Sequence, residues 1–480
     1  MGRKRDGTAL MTIRLQDTMS GETRPLVPVR EGHVGIYSCG PTVYGPVHIG
    51  NFRSFLFADL LVRHLRARGL TVTWVMNITD IDDKIIKGAA AAGAGIGELA
   101  ERWTEHFLGD AQTLRMTTPD VMPRATRHID QIVAIIATLL ERGHAYRTED
   151  GSVFFRIASW PAYGRLARLD PDQLRVGERV EADEYAKDDV RDFALWKGPK
   201  PGEPSWETAI GPGRPGWHIE CSAMGMEHLG PSFDIHTGGI DLVFPHHEDE
   251  IAQSEAATGK PFVTTWLHCA HLRIGGNKMA KSTGNIARVA EVLDTGISPR
   301  ALRFALISVH YRQGLNYSEE SQAKAAATVA RLDALVAALA AYAEDRPDDP
   351  GLPDVLAAAE TAFFDAMDDD LNVSAALAAL FDLVREVNRR IDLRTLSTAD
   401  ARRVETTLSK IDSVLGVLPG ESDGLDAEQA SMVEARALAR ASRNWSESDR
   451  LRDALSERGI WVEDTRDGQR WRRAAEPNRA

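Results

Sequence analysis

The stretch that decides the fold is residues 34–78: VGIYS at 34–38, the breaker Cys39-Gly40-Pro41, a helical pattern from about His48, and TVTWVMNI at 71–78. VGIYS is short and apolar and stops at a Gly-Pro turn, as a strand does. Phe52, Phe55, Leu56, Leu60, Leu61 and Leu65 then recur at helical spacing, and Gly69 is a residue that readily ends a helix. TVTWVMNI is β-branched and apolar enough for a buried strand. Two strands joined through a helix form one βαβ unit, and that crossover makes them parallel. The glycines do not fit a dinucleotide fingerprint, because the turn carries His48-Ile49-Gly50-Asn51 instead. The segment therefore opens a parallel, nucleotide-binding-type α/β sheet.

Downstream, residues from about 120 to 197 read as an inserted module, with a helix at 129–140, a strand at 152–157 and polar sequence up to Arg191-Asp192-Phe193-Ala194-Leu195-Trp196-Lys197. Residues 198–216 hold five prolines and five glycines, too many breakers for a regular element. The α/β pattern resumes with an extended Phe233-Asp234-Ile235-His236, a run over 241–244 that stops at Pro245, and a helix expected from near His246. From about Pro299 the chain becomes helical and Ala-rich, notably at 322–343 and 355–390. PGESDGLD at 419–426 is the clearest linker. Beyond it come a charged helix expected over 427–458, a strand at 460–463 and a hairpin return through Asp467-Gly468 to Trp471. No internal repeat is present. The expected organisation is a first half of the α/β domain at 1–119, the insertion at 120–205, the second half at 206–300, a helical bundle at 301–418, the linker at 419–426, and a small α+β domain at 427–480.

A chain of 480 residues suggests about three domains and rules out a small stapled scaffold. A 43% hydrophobic and 26% charged composition excludes global disorder. Cys39, Cys221 and Cys269 are too few and too dispersed for a disulfide framework, so a reducing compartment is expected. No apolar run approaches the roughly 18 residues of a membrane span, and no apolar core follows the basic start at Arg3, Lys4 and Arg5. The expectation is a cytoplasmic protein without a membrane partner. The net charge of −13 argues against nucleic acid as a global total, but it averages acidic stretches such as 344–354 with local basic sites such as Arg470, Arg472 and Arg473.

Five constellations could carry chemistry. His48-Ile49-Gly50-Asn51 sits where a strand passes into a helix, a place that favours bound phosphate; four residues alone are equally a turn His beside a packing Gly. Gly276-Asn277-Lys278-Met279-Ala280-Lys281-Ser282 sets two lysines three apart in a Gly-flanked loop that can clamp a triphosphate, or be a solvated basic loop. Cys39, Cys221, His246 and Glu250 are ligand types that suit zinc, with His246 and Glu250 on one helical face. Spacing alone leaves the cysteines as ordinary buried thiols. Trp217-His218 and His236-Thr237-Gly238-Gly239 could line a pocket with Thr79 and His271, or be core. Arg440, Trp445, Asp449 and Asp464 surround the last helix-to-strand passage, where a Trp beside Arg and Asp can stack on a base and read its edge.

Together these residues resemble one family, the cysteinyl-tRNA synthetases of class I. His48-Ile49-Gly50-Asn51 looks like the HIGH signature of that class, and 278–282 looks like its KMSKS loop. More specific are Tyr37-Ser38-Cys39-Gly40-Pro41-Thr42-Val43-Tyr44, Asn77-Ile78-Thr79-Asp80-Ile81-Asp82-Asp83-Lys84, Arg191 to Lys197, Gly216-Trp217-His218-Ile219-Glu220-Cys221, and Phe244-Pro245-His246-His247-Glu248-Asp249-Glu250. The likeness runs from about residue 12 to 473. It implies a Rossmann-type catalytic domain with an inserted module, followed by a helical bundle and a small C-terminal α+β domain. It further implies one zinc ion held by Cys39, Cys221, His246 and Glu250; an amino-acid pocket completed by Thr79, Trp217 and His236; and ATP, with Mg²⁺, at His48, Gly50, Asn51, Lys278 and Lys281. Of these His48, Asn51 and the two lysines would be catalytic. Arg440, Trp445, Asp449 and Asp464 would contact the anticodon of tRNA(Cys). The expected enzyme is a monomeric, AMP-forming cysteine–tRNA ligase using L-cysteine, ATP and tRNA(Cys).

Two alternatives share this core. An amino-sugar cysteine ligase of mycothiol biosynthesis would lack the tRNA-reading appendage, and a non-catalytic paralogue would not need to retain His48, both lysines and four metal ligands. The chain departs from the family pattern at Asn51, which cannot be cationic, and at Ala280, where a hydroxyl is missing. Ala280→Ser is expected to lower the KM for ATP in pyrophosphate exchange; unchanged KM and rate would make that hydroxyl irrelevant here.

Overall fold

In a computed structural model, the described residues are 12–169, 191–278, 286–420, 427–442, 444–458, 460–465 and 468–473. The expected βαβ unit is present: strand His33–Ser38, helix Ile49–Ala67 and strand Thr71–Met76, with the two strands parallel and paired in register from His33 opposite Thr71 to Ser38 opposite Met76. A second unit, strand Phe233–Gly239, helix Glu248–Thr258 and strand Val263–Cys269, adds to the other side of His33–Ser38. The resulting order is Val263–Cys269, Phe233–Gly239, His33–Ser38, Thr71–Met76, all parallel. The chain turns outward in opposite directions from the two central strands. The crevice between their carboxyl ends is where such sheets take ligands.

The helix Ile49–Ala67 shows why this sheet is extended rather than left as a two-layer unit. It is buried almost all round, because the sheet covers one side and helices Pro299–Ile307 and Thr398–Leu415 cover the other. Arg53, Asp59 and His64 are consequently buried polar residues, and each has partners from a distant segment. Asp59 and Arg303 are both fully buried and 2.7 Å apart, with Arg63 on the same carboxylate. His64 Nε2 meets Asp368 Oδ1 at 2.9 Å. Asp370 joins three parts: Gln16 N and Tyr311 OH donate to Oδ1, and Arg312 Nε donates to Oδ2.

The insertion folds as an antiparallel sheet, in the order Ala145–Arg147, Val153–Phe155, Phe193–Lys197, Arg214–Pro215, with helix Ile129–Glu141. Ile132, Ile136, Leu139, Phe155, Phe193 and Trp196 form a core that also takes in Ile219, Ala223 and Ala252 of the catalytic helices. The insertion is thereby seated on the main domain.

Two expectations need correction. The run at 241–244 is not extended but passes from a 3₁₀ turn Ile240–Leu242 into a π turn Val243–His247, and the helix expected from near His246 begins at Glu248. The Ala-rich stretch at 355–390 is helical as expected and is divided into Leu352–Asp368 and Val373–Asp392, because Asp370 and Leu371 adopt positive φ and Asn372 caps the second. The charged helix at 427–458 is also two, Ala427–Ala441 and Trp445–Glu457, the second capped by Asn444. The hairpin Arg14–Asp17/Glu22–Pro25 was not read from the sequence. The C-terminal hairpin is present as Ile460–Thr465 paired with Gly468–Arg473. No helix among the described residues is long and apolar enough to cross a membrane.

Burial pushes the Asp59 carboxyl up, but Arg303 and Arg63 outweigh it and hold the group below the ordinary aspartate value. A carboxyl lowered on folding contributes stability above its unfolded pKa and loses it as the pH falls through the folded value, so this pair weakens only in acid. Asp59→Asn leaves Arg303 buried beside a neutral group and is expected to cost about 3–5 kcal/mol in denaturant unfolding. An unchanged unfolding midpoint at neutral pH would contradict this account of the packing.

Candidate active site and metal centre

The site is assembled at the carboxyl ends of the two central strands. Cys39 follows the strand His33–Ser38, and its N–H donates to Thr237 O across the crevice. Cys221 lies on the second turn of helix Trp217–Leu229. His246 lies in the π turn Val243–His247, and Glu250 lies in the first turn of the following helix. One donor atom from each of these four residues falls within 4.8 Å of all the others. The Cys39 and Cys221 sulfurs are 4.0 Å apart, Cys39 Sγ is 3.8 Å from Glu250 Oε1, and His246 Nε2 is 3.1 Å from the same oxygen. Bond lengths of about 2.3 Å to sulfur and 2.1 Å to nitrogen or oxygen put the donors of a tetrahedral metal roughly 3.8, 3.6 and 3.4 Å apart for these three pairs. The chemistry and spacing of the donor set thus fit a metal ion.

The charge states fit as well. Burial, then Cys221 and Glu250, push the Cys39 thiol up, while the Cys39 sulfhydryl donating to Cys221 holds that thiol down. Burial acts to lower His246, but Cys221 and Glu250 carry it up to about 10. Burial raises Glu250, and His236 with His246 outweigh it, leaving it near 2. A carboxylate and a thiolate are therefore held in the form a cation requires, with protons on His246 and Cys39 to be displaced.

His236 belongs to this cluster from the sheet side: its Nε2 is 3.1 Å from Glu250 Oε2, and its ring stacks on Trp266 at 4.7 Å. Trp217, 37% exposed, lies against the His246 ring with centroids 4.3 Å apart. Thr79 is buried just past strand Thr71–Met76 and accepts a hydrogen bond from Asn77 Nδ2 at 3.1 Å. Cys39 is the partly exposed ligand of the four, so the centre opens on its side.

Several participants were missed in the sequence. His247 Nε2 is 3.4 Å from Cys39 Sγ, and its Nδ1 is 2.8 Å from His268 Nε2. With Cys39, His236 and Glu250 it forms a second donor set that overlaps the first; the first has two sulfurs and is the softer. His218, named in the sequence as a pocket candidate beside Trp217, has its Nδ1 2.8 Å from His246 Nδ1; Tyr163 of the insertion, which the sequence did not single out, donates to Asp249 at 2.5 Å. Glu248 accepts the N–H groups of Gly164, Leu166 and Ala167, clamping the insertion to the helix that carries Glu250. The adjacent pair His246-His247 was the available signal, since two consecutive imidazoles before an acidic run can face two sides.

His48 is the N-cap of helix Ile49–Ala67, its Nδ1 accepting from Asn51 N at 3.2 Å. Ile49 N donates to Ala287 O, and His48 bridges Arg288 in β fashion, so the chain leaving 279–285 is tied to this helix start. Lys278 ends the short strand Asn277–Lys278; Ala280 and Lys281 lie outside the described residues. In the C-terminal unit, the Arg440 guanidinium sits over the Trp445 ring at 5.6 Å, Trp445 is 55% exposed, and Asp449 pairs with Arg452. Asp464 lies opposite Gln469 in the hairpin.

Residues 25–327 match the family described as tRNA synthetases class I (C) catalytic domain, residues 362–419 the DALR domain, and residues 422–472 the cysteinyl-tRNA ligase anticodon binding domain. The fold is that of class I synthetases: the methionyl-tRNA synthetase of Mycobacterium tuberculosis in complex with methionyl-adenylate superposes with a TM-score of 0.57 at 17% identity, over 80% of this chain and 90% of that one. Among curated relatives, the cysteine–tRNA ligase of Methylococcus capsulatus is 48% identical over 94% of this chain and 97% of its own. That of Symbiobacterium thermophilum is 45% identical over 97% of this chain and all of its own. The chain belongs to the cysteine–tRNA ligase family.

Cys221→Ser is expected to weaken metal binding by at least about tenfold in chelator competition. Cys269→Ser should not, because that thiol lies against Arg53 O and is outside the donor set. Equal metal affinity in both variants would contradict the proposed ligands.

Proposed function

We propose that the protein activates L-cysteine with ATP and transfers the cysteinyl group to tRNA(Cys). The observation that carries this reading is the two-sulfur donor set lying at the same sheet edge as the His48 helix start. In that crevice an amino acid bound by sulfur would meet a nucleotide bound by phosphate. The ligands Cys39, Cys221, His246 and Glu250 would hold zinc. When bound, zinc supplies a soft Lewis-acidic position that a thiolate fills and a hydroxyl fills poorly, which separates cysteine from serine without an editing step.

The chain's own residues do the rest. Trp217 and Thr79 flank the cysteine, and His236 orients the Glu250 carboxylate from behind. Gly50 lets a flat ring approach the backbone, while His48 and Asn51 at the helix start bind ATP phosphates with the positive end of the helix dipole. Lys278 and Lys281, with the Mg²⁺ that accompanies ATP, meet the negative charge that grows as the substrate carboxylate attacks the α-phosphate and pyrophosphate leaves. A terminal ribose hydroxyl of the tRNA then attacks the acyl carbon, and AMP departs. Arg440, Trp445, Asp449 and Asp464 contact the anticodon, with Trp445 as a stacking surface. The anticodon-type unit also disfavours the amino-sugar acceptor, which has no anticodon to bind.

Zinc-replete protein is expected to catalyse cysteine-dependent ATP–pyrophosphate exchange and to label tRNA(Cys) but not glucosaminyl-inositol. Labelling of the sugar alone would overturn the acceptor, and absence of exchange would overturn the activity. Trp445→Ala should leave exchange intact and weaken charging by about tenfold, the scale of one lost base stack.

A further inference from the structure

Arg53 lies on the first turns of the helix Ile49–Ala67 and is 2% exposed. It donates four hydrogen bonds, all to main-chain carbonyls: Nε to Ala270 O at 3.1 Å, Nη1 to Leu306 O at 3.1 Å, and Nη2 to His310 O at 3.3 Å and Gln313 O at 2.6 Å. Burial pushes its pKa down, yet a guanidinium remains charged in a protein. Among the described residues it has no carboxylate at ion-pair distance, unlike Arg303 on Asp59. Leu306 is in the last turn of helix Pro299–Ile307, where the negative end of the dipole and unpaired carbonyls compensate part of the cost. An apolar side chain would fill the same space without a buried charge, so packing alone does not call for arginine.

Two of the carbonyls it gathers, those of Ala270 and Gln313, lie at the bases of paired strands. Ala270 precedes the strand Leu272–Ile274, which runs through Gly275-Gly276 to Asn277–Lys278 at the start of the lysine signature. Gln313 precedes Leu315–Tyr317, the parallel partner of that strand. The two bases are joined by Ala270 N to Tyr311 O, Leu315 N to His271 O, and Gly276 N to Asn316 Oδ1 at 2.9 Å. The chain that leaves 279–285 is held at Ala287 and Arg288 by Ile49 and His48. Both flanks of the lysine signature are thus fastened to the first turns of one helix, the exit by its backbone and the entrance by Arg53.

We propose that Arg53 is a positioning residue for the nucleotide step, setting the strand that carries Lys278 at a fixed place relative to the His48–Asn51 helix start. The proposal rests on the activity argued above. Lysine keeps the charge but is a single point donor and cannot fork across the bases of two strands.

The test uses full-length, zinc-replete Arg53→Lys and Asn316→Ala, with KM for ATP, KM for cysteine, exchange kcat, zinc content and melting temperature measured for each. Arg53→Lys is expected to lower exchange kcat by about tenfold or more and to raise the KM for ATP, while the KM for cysteine and zinc content stay within about twofold. Asn316→Ala, at an exposed position, should shift the KM for ATP in the same direction by less. The proposal is overturned if Arg53→Lys exchanges like wild type. It is also overturned if both KM values and the melting temperature worsen together in Arg53→Lys while Asn316→Ala is silent. Should Arg53→Lys not accumulate as folded protein, Asn316→Ala decides, and an unchanged KM for ATP sinks the proposal. Wild-type protein without cysteine-dependent exchange would remove the activity and this role together, whereas normal wild-type exchange beside an indifferent Arg53→Lys removes this role alone.

Discussion

Two sulfurs, an imidazole and a carboxylate must be held against one another in a place from which most water has been removed, although Cys39 and Glu250 are separated by 211 positions in the chain. Polar groups buried in that way are costly unless each is fixed on a partner, and much of the surrounding architecture supplies the fixing. Gly40 lets the chain turn away directly after Cys39, since a Cβ there would lie 1.8 Å from Asn77 O. Gly238 leaves room for the His247 ring, which a Cβ would meet at 2.7 Å. The insertion adds its turn to the same task, through Tyr163 on Asp249 and three N–H groups on Glu248.

The same logic extends along the helix that starts at His48. Its buried Arg53, Asp59 and His64 reach, in turn, the strands leading into the lysine signature, the helix Pro299–Ile307 and the bundle carboxylate Asp368. The helix whose N-terminus is proposed to bind phosphate is therefore held by charged contacts in its body. Arg303 in addition donates to Leu415 O and to Leu114 O, so the Ala-rich bundle is joined to the catalytic half through groups that cannot slip without exposing a charge.

How much of this was legible follows from what sequence periodicity can express. The strands at 33–38 and 71–76 and the helix between them were readable, because an apolar run, a breaker and a 3.6-residue repeat are local signals. The breaks at Asp370-Leu371 and before Asn444 were not. Neither carries glycine or proline, and the first adopts positive φ because Asp370 is engaged with Gln16, Tyr311 and Arg312 from distant segments. The ligand types at Cys39, Cys221, His246 and Glu250 were visible, but their convergence was not, since it depends on the strand order of the sheet. His247 and His268 were given no role because theirs come from neighbours contributed by other elements.

The central claim is that the substrate sulfur joins, as a further donor, the set built by Cys39, Cys221, His246 and Glu250. Its most direct test is the electronic spectrum of the protein reconstituted with cobalt(II), recorded before and after L-cysteine or L-serine is added. The account predicts a tetrahedral cobalt spectrum with thiolate charge-transfer bands that intensify with L-cysteine and stay unchanged with L-serine. Failure to bind cobalt, or a spectrum indifferent to L-cysteine, would contradict it.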